Sequence, residues 1–495
     1  MHLRRRSSIQ SGQIPLIMTS IRKALSSGII YIAFARYSSV LISIIISAIL
    51  SRLLTPEEFG TVALVSVFVI FFNLLSDFGL GPAVIQNQSL NEDDINSVFS
   101  FSLVLGFLLA GLFYFSAHTI GDFYQKEDLV NITKLLSLSV LFNSAQIVPR
   151  AFLQKELRFK HLGLITVGVQ FLGGVTAIIL AYSGFSYYSL VFQSILAGGI
   201  SFLVFYALNP VKLIFNFRIS AIKKIIRFSA FQFSFDFINY FSRNADNILV
   251  GKFFGSASLG FYDKSYRLMM MPVQNLTHVI SPVLMPVLSK YQEDRNFVFQ
   301  SYLKVTKLLA IFGFPLSVFL YFNAQEIVHI IFGPQWAQSV PVFKLLALTV
   351  GFQVVSSSSG SIFQVINRTD LLLYSGVMGA VIMLCGICYG VFIGKDLVSI
   401  GFGLIIAFIL NFVQGFYFLI NIAFKKSLCS FIKAFIYPLL MSFVIASVLW
   451  LFELNKSDNL GLNFALKLVI AGATYVFLVS IHKEYRIALK NILIR

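Results

Sequence analysis

The chain has 495 residues and a formal net charge of +17, yet only 12% of its residues are charged, 57% are apolar and the mean hydropathy is +0.83. A water-soluble domain carries about a quarter charged residues, so a soluble enzyme or binding module is excluded. The excess positive charge falls in short segments between long apolar blocks, so no nucleic-acid partner is expected.

Taken in chain order, the apolar blocks predict an all-α polytopic membrane protein with about 14 transmembrane helices. Each block has about 20 residues or more, the length of a membrane span. They lie near 28–52, 59–86, 95–119, 128–149, 161–182, 187–208, 228–250, 257–289, 297–322, 340–366, 371–393, 398–423, 431–452 and 463–481. The first follows Arg4, Arg5, Arg6, Arg22 and Lys23, is too long for a signal-peptide core and has no A-x-A site at its far end, so it is expected to stay as a helix. The eighth is long enough that it must bend or protrude. Met18 is an alternative start.

Orientation follows from the loops. Arg150, Lys155, Arg158 and Lys160, then Lys212, Arg218, Lys223, Lys224 and Arg227, then Lys425, Lys426 and Lys433 crowd into alternate connections, as do the basic residues of the two tails. The intervening loops hold Lys126, Lys252, Lys395 and Lys456. The positive-inside rule then puts both termini in the cytoplasm. The segment from Asn87 to Asp94 is acidic and runs against the pattern.

The text repeats itself. Ser51-Arg-Leu-Leu-Thr-Pro-Glu-Glu-Phe-Gly60 is echoed by Gly251-Lys-Phe-Phe-Gly-Ser-Ala-Ser-Leu-Gly260, Gln154 with Arg158 by Gln364 with Arg368, and Gly184 by Gly394. These echoes predict two six-helix lobes in a parallel pseudo-twofold repeat plus two C-terminal helices. The expected divisions are 1–27, a basic cytoplasmic segment; 28–208, the N-lobe; 209–227, a basic cytoplasmic linker; 228–424, the C-lobe; and 425–495, the last two spans and a cytoplasmic tail.

An ionisable group within a span needs a partner or water. In the seventh span Gln232, Asp236, Asn239, Arg243 and Asp246 recur at spacings of 4, 3, 4 and 3, one helix face along about 21 Å. Two readings stand: Arg243 pairs with Asp246 or Asn239 to glue helices together, or the stripe lines a hydrated cavity. Related stripes include Arg36, Ser39, Ser43 and Ser47; Asn73 and Asp77; Asn143, Gln146, Arg150 and Gln154; Lys264, Arg267, Gln274, His278 and Ser281; and Gln353, Ser357, Ser361 and Gln364. Within the spans, Arg36, Lys134, Arg243, Lys264 and Arg267 outnumber Asp77, Asp236 and Asp246. Surplus guanidinium suits an anion, above all phosphate oxygens held bidentately. Arg36, Arg243, Arg267, Lys264, Gln146, Gln353 and Ser357 are the candidate substrate-binding residues. Asp77, Asp236 and Asp246 would couple an ion or orient the arginines.

No H-E-x-x-H, G-x-S-x-G or nucleotide-binding signature occurs, and the Cys385, Cys388 pair in mid-span reads as helix packing. No enzyme activity, metal or cofactor is expected.

Ser51 to Gly60, Asp77-Phe-Gly-Leu-Gly81, Pro149-Arg-Ala-Phe-Leu-Gln154, Asp246 to Gly255, Leu259-Gly-Phe-Tyr262 and Tyr266-Arg267 resemble the Wzx-type, colanic-acid-exporter-like branch of the multidrug/oligosaccharidyl-lipid/polysaccharide (MOP) superfamily, over residues 25–425 or so. The resemblance implies a MATE-like fold of two lobes that alternates its opening. It implies a flippase moving an undecaprenyl-diphosphate-linked glycan to the outer leaflet of the bacterial inner membrane, with an H+ or Na+ gradient as the drive. Arg36 and Arg243 match that family's cavity cations. Partners would be the glycan carrier, membrane lipids, a polysaccharide polymerase and chain-length machinery. The rival expectations are a MATE-like drug or cation antiporter, a peptidoglycan-precursor flippase and a membrane-embedded polysaccharide polymerase.

Overall fold

The computed structural model describes residues 35–87, 90–214, 219–455, 457–482 and 486, and among these the regular structure is entirely helical. The expected N-terminal segment 1–27 and the alternative start at Met18 lie outside the described residues. The chain forms two compact units, residues 1–53 with 68–237 and residues 54–67 with 238–495.

The first unit holds α1 (Ala35–Leu53), the later part of α2 (Pro56–Asp77), α3 (Leu80–Gln86), α4 (Glu92–Phe115), α5 (Ala117–Tyr124), α6 (Asp128–Lys155), α7 (Phe159–Tyr182) and α8 (Tyr188–Leu208), and ends in α9 (Ile219–Leu288). The acidic stretch that opposes the positive-inside pattern has a local task. Asn91 Oδ1 accepts from the Asp94 amide at 2.8 Å while the Asp94 carboxylate accepts from the Asn91 amide, a reciprocal cap. Glu92, Asp93 and Asp94 sit against the positive end of the α4 dipole. Between α4 and α6, Gly106 leaves room for Ser144, whose hydroxyl donates to the Ser102 carbonyl at 2.8 Å. Leu80, Val84, Val98, Phe99 and Val148 form a buried core beside this contact.

The second unit takes the start of α2, the rest of α9, then α10 (Arg295–Phe322), α11 (Ala324–Ile331), α12 (Ser339–Ala347), α13 (Val350–Ser356), α14 (Ser359–Val365), α15 (Thr369–Cys388), α16 (Leu397–Phe416), α17 (Leu428–Ile432), α18 (Ile436–Glu453) and α19 (Leu460–Ile481). Wide π turns carry α15 to Gly394 and α16 to Ala423. α2 opens with Thr55 and Glu58 capping each other and Pro56 in the first turn. The two arms of α9 meet at Gly255, whose φ of 80° and ψ of 179° suit glycine best. α9 begins at Ile219, inside the segment expected as a linker.

The first pair of echoed segments is in mutual contact within this unit. A Cβ on Gly60 would lie 1.7 Å from the Ser256 carbonyl oxygen, and one on Gly260 would lie 2.1 Å from that of Pro56. Residues 56 and 60 thus meet 256 and 260 reciprocally. In lipid, where apolar burial drives no helix association, such small-residue approaches do the packing. The second echo repeats a turn: after Gln154 and Gln364 the helices end with Leu157 at φ 57° and Asn367 at φ 56°. The amides of Arg158 and Arg368 then donate back to Leu153 and Phe363.

Eleven described helices are long and apolar enough to cross a membrane, or twelve with α12 and the α13–α14 segment, bent by 45°, taken as one. The chain is a multi-pass membrane protein. The expected spans at 228–250 and 257–289 fall on the arms of α9, which is not among those twelve and is the more polar for its stripe of ionisable residues. Large apolar side chains face outward, such as Phe107, Phe443 and Phe477, as lipid contact requires.

A buried charge cluster holds α19. Lys467, fully enclosed, donates to the Phe322 carbonyl at 2.8 Å, to Glu326 at 2.6 Å and to Glu453. Glu326 is buried as well and Glu453 is partly open. None of these three charges was singled out in the sequence, although Lys467 stands alone in an apolar block.

Candidate functional site

A cavity of about 840 Å³ opens in the second unit between the arms of α9 and helices α13, α15 and α16. Its volume falls within the range of ligand sites. The first arm supplies Arg243, Asn244 and Asn247, the second Asp263, Tyr266, Arg267, Gln274 and Thr277. α13 adds Gln353 and Ser356 with Ser357 just beyond, α15 adds Gly376 and Gly379, and α16 adds Asn411 and Phe412. The kink at Gly255 lets both arms of one continuous helix face the same space.

The charges decide the character of the space. Arg267 and Asp263, one turn apart on α9, pair at 2.7 Å and cancel. Arg243 is exposed to the cavity and makes no ion pair among the described residues. Asp246 does not serve it: that carboxylate is buried and accepts from the Tyr262 hydroxyl at 2.6 Å and from the Asn247 amide. Among the described residues the lining therefore carries a net single positive charge on a forked donor, amid neutral amides and hydroxyls. A wall of that composition is suited to oxyanions and hydroxyl-bearing groups rather than to cations.

Four of the seven residues expected to bind substrate, Arg243, Arg267, Gln353 and Ser357, line this one cavity. Gln353 is fixed by donating to Thr349 Oγ1 at 2.8 Å. Lys264 does not line it. That side chain is buried in a box of rings, its Nζ 3.8 Å from the centre of Phe59, 4.7 Å from Phe332 and 5.4 Å from Trp336, contacts that stabilise a desolvated cation. Arg36 and Gln146 belong to the first unit. Arg36 is half-buried with an Nε that has no partner among the described residues, and the Gln146 amide donates to Asn143 at 2.8 Å. Asp77 accepts from the Gly81 amide at 3.2 Å across the break where Phe78 and Gly79 take positive φ. The side chains of Asp236, Gln232, Asn239, His278 and Ser281 lie outside the described residues.

The sequence reading missed Asn244, Asn247, Thr277 and Asn411. Asn247 lies four residues from Arg243 and shares its face, and Asn411 is an amide in an otherwise apolar block, which was the available signal.

A family model described as polysaccharide biosynthesis protein matches residues 49–341. The chain belongs to this family. Among its relatives, the chain is 26% identical over 470 residues to the teichuronic acid biosynthesis protein TuaB of Bacillus subtilis (strain 168), covering 93% of this chain and 96% of that one. It is 22% identical over 431 residues to the lipopolysaccharide biosynthesis protein WzxC of Escherichia coli (strain K12), covering 86% of each. Among solved structures it superposes on the lipid II flippase MurJ in an inward closed conformation with a TM-score of 0.74 at 17% identity, covering 94% of this chain and all of that one. The expected Wzx-type kinship is thus found in the similarity to WzxC, and the fold is one that MurJ shares.

Proposed function

We propose that this polysaccharide biosynthesis protein is a flippase that moves undecaprenyl-diphosphate-linked oligosaccharide repeat units from the cytoplasmic to the outer leaflet of the bacterial inner membrane by alternating access. The observation that carries the reading is the Arg243 guanidinium, which makes no ion pair among the described residues, in a cavity where Asp263, the one carboxylate among the described lining residues, is already neutralised. A diphosphate is the part of such a carrier that a forked cation recognises. Arg243, with Arg36 and Arg267, would serve the diphosphate, and Gln353, Ser357 and Gln146 the sugars. Lys264, caged by rings, would tune the field near them. Asp77 and Asp236 would hold the arginines, and one of them or Asp246, which is turned to Tyr262, would carry a coupling H+ or Na+. The lobes would be residues 28–208 and 228–424, with the basic segments 1–27 and 209–227 and both termini in the cytoplasm. A polymerase and chain-length machinery would receive the product.

A MATE-like cation antiporter needs a net acidic cavity, and a surplus cation disfavours it. A membrane-embedded polymerase would leave single repeat units on the outer leaflet in its absence. The test is Arg243→Ala in cells that depend on this chain for surface glycan. Loss of surface polysaccharide with carrier-linked repeat units retained inside, and the variant present in the membrane at wild-type level, is expected. Wild-type surface glycan in that variant would remove the site from consideration.

A further inference from the structure

The two arms of α9 are held unequally. The start of the second arm is fixed to the unit around it. Ser256 and Gly260 close on Gly60 and Pro56 of α2, and Lys264 sits among its three rings. The Ser265 hydroxyl donates to the Ser339 carbonyl at 2.9 Å, and the Ser339 hydroxyl donates to the Phe261 carbonyl at 3.0 Å, which joins this stretch to α12. The kink has no such support, since a Cβ on Gly255 would meet no atom within 4 Å among the described residues. A hydrogen bond from the Tyr262 hydroxyl to Asp246, at 2.6 Å, ties the first arm to the second. Tyr262 is fully buried and Asp246 is 5% exposed, so neither can exchange the bond for one to water.

The bond lies between the kink and the cavity. Asp246 is nine residues from Gly255 and Arg243 is twelve, about 14 Å and 18 Å along a straight helix. On the second arm Tyr266 and Arg267, which line the cavity, follow Tyr262 by four and five residues. A swing of the first arm by about 10° at Gly255 would carry Arg243 about 3 Å, more than a hydrogen bond tolerates. A slack of about 0.5 Å in the bond at Asp246 limits the swing to about 2° and the shift at Arg243 to less than about 1 Å.

We infer that Asp246 is a positioning residue for the diphosphate: through Tyr262 it fixes the first arm of α9 against the second, and so holds the Arg243 guanidinium at a set distance from Tyr266 and Arg267. The inference rests on the flippase reading and deepens it. Asp246 acts by accepting a hydrogen bond and not by pairing with Arg243. An amide in its place should therefore serve as well, and losing the bond should matter little once Arg243 is gone.

The test uses the full-length protein in detergent micelles, with undecaprenyl diphosphate as the probe and no ion gradient imposed. Tyr262→Phe removes the donor alone. Asp246→Leu combined with Tyr262→Phe replaces the bonded pair by an apolar one and strands no buried carboxylate. Asp246→Asn keeps an acceptor for Tyr262. Roughly tenfold weaker binding is expected for Tyr262→Phe and for the apolar pair, the worth of one charge-assisted hydrogen bond to the probe, while Asp246→Asn should stay within about threefold of wild type. Arg243→Ala should weaken binding by a larger factor in wild type than in the apolar pair. Wild-type affinity in either folded variant that lacks the bond overturns the inference, and a lowered unfolding midpoint with that affinity is what a merely structural bond would give. Binding by Asp246→Asn as weak as that of the apolar pair overturns it too, because the charge and not the bond would then be responsible. So does an Arg243→Ala effect of equal factor in both backgrounds. The flippase reading stands through each of these results as long as Arg243→Ala weakens binding to the otherwise wild-type protein, and equal binding there overturns both.

Discussion

Replacing Lys467 by methionine tests how the last two helices are held. The ammonium is fully enclosed and satisfies the Phe322 carbonyl, Glu326 and Glu453 together. Methionine fills similar space but takes away the ammonium that both carboxylates share. The Glu326 side chain, 4% exposed, is then left beside Glu453 with no positive partner of its own among the described residues. Removing one member of a buried pair costs about 3–5 kcal/mol, and the orphaned Phe322 carbonyl adds about 1 kcal/mol. The assay is thermal unfolding of the purified full-length protein, followed through the fluorescence of its two tryptophans, Trp336, buried in the same unit, and Trp450 on α18. A fall of several degrees in the midpoint is expected. Adding Glu326→Gln should recover more than half of it, because a neutral amide no longer needs the ammonium. A Lys467→Met midpoint within about 1 °C of wild type, or no recovery in the double variant, would refute the reasoning.

Gly60→Val should force α2 and the second arm of α9 apart by about 1.7 Å to restore ordinary contact at the Ser256 carbonyl. Overpacking of that size costs about 1–3 kcal/mol or more, visible as a lowered unfolding midpoint, with Gly260→Val behaving alike. Leu157→Gly should stabilise by about 0.5–1 kcal/mol, because Leu157 holds a positive φ and is 52% exposed, so little packing is lost; a lowered midpoint would count against it. Asp263→Asn should free Arg267 and tighten undecaprenyl diphosphate binding severalfold. Its effect on stability should stay under about 1 kcal/mol, since the Arg267 side chain is 69% exposed and the pair is screened.

The membrane character, the positions of the apolar helices and the family were legible because each is written locally. Span length is set by bilayer thickness, and the motif from Ser51 to Gly60 carries its own cap at Thr55 and Glu58. The acidic run after Asn87 runs against the orientation rule, and its carboxylates cap α4: capping a helix and facing a leaflet draw on the same side chains. The periodicity of the seventh span put Arg243 and Asp246 close in sequence and left open whether they pair. The pairing of Asp263 with Arg267 follows from a spacing of four residues. That Asp246 turns instead to Tyr262, across the kink at Gly255, does not.

What the sequence alone determined is which segments lie in the bilayer and which faces are polar, since helical period and hydropathy act over a few turns. What the tertiary structure decided is which polar faces meet. Arg243, Gln353 and Asn411 are far apart along the chain and share one cavity because the rotation of each helix about its axis is set by side-chain packing against its neighbours, such as Gly60 on Ser256 and Gly386 on Gly403. The burial of Lys467 among two carboxylates has the same origin. A charge declares its need for a partner in the sequence, and only packing chooses the partner.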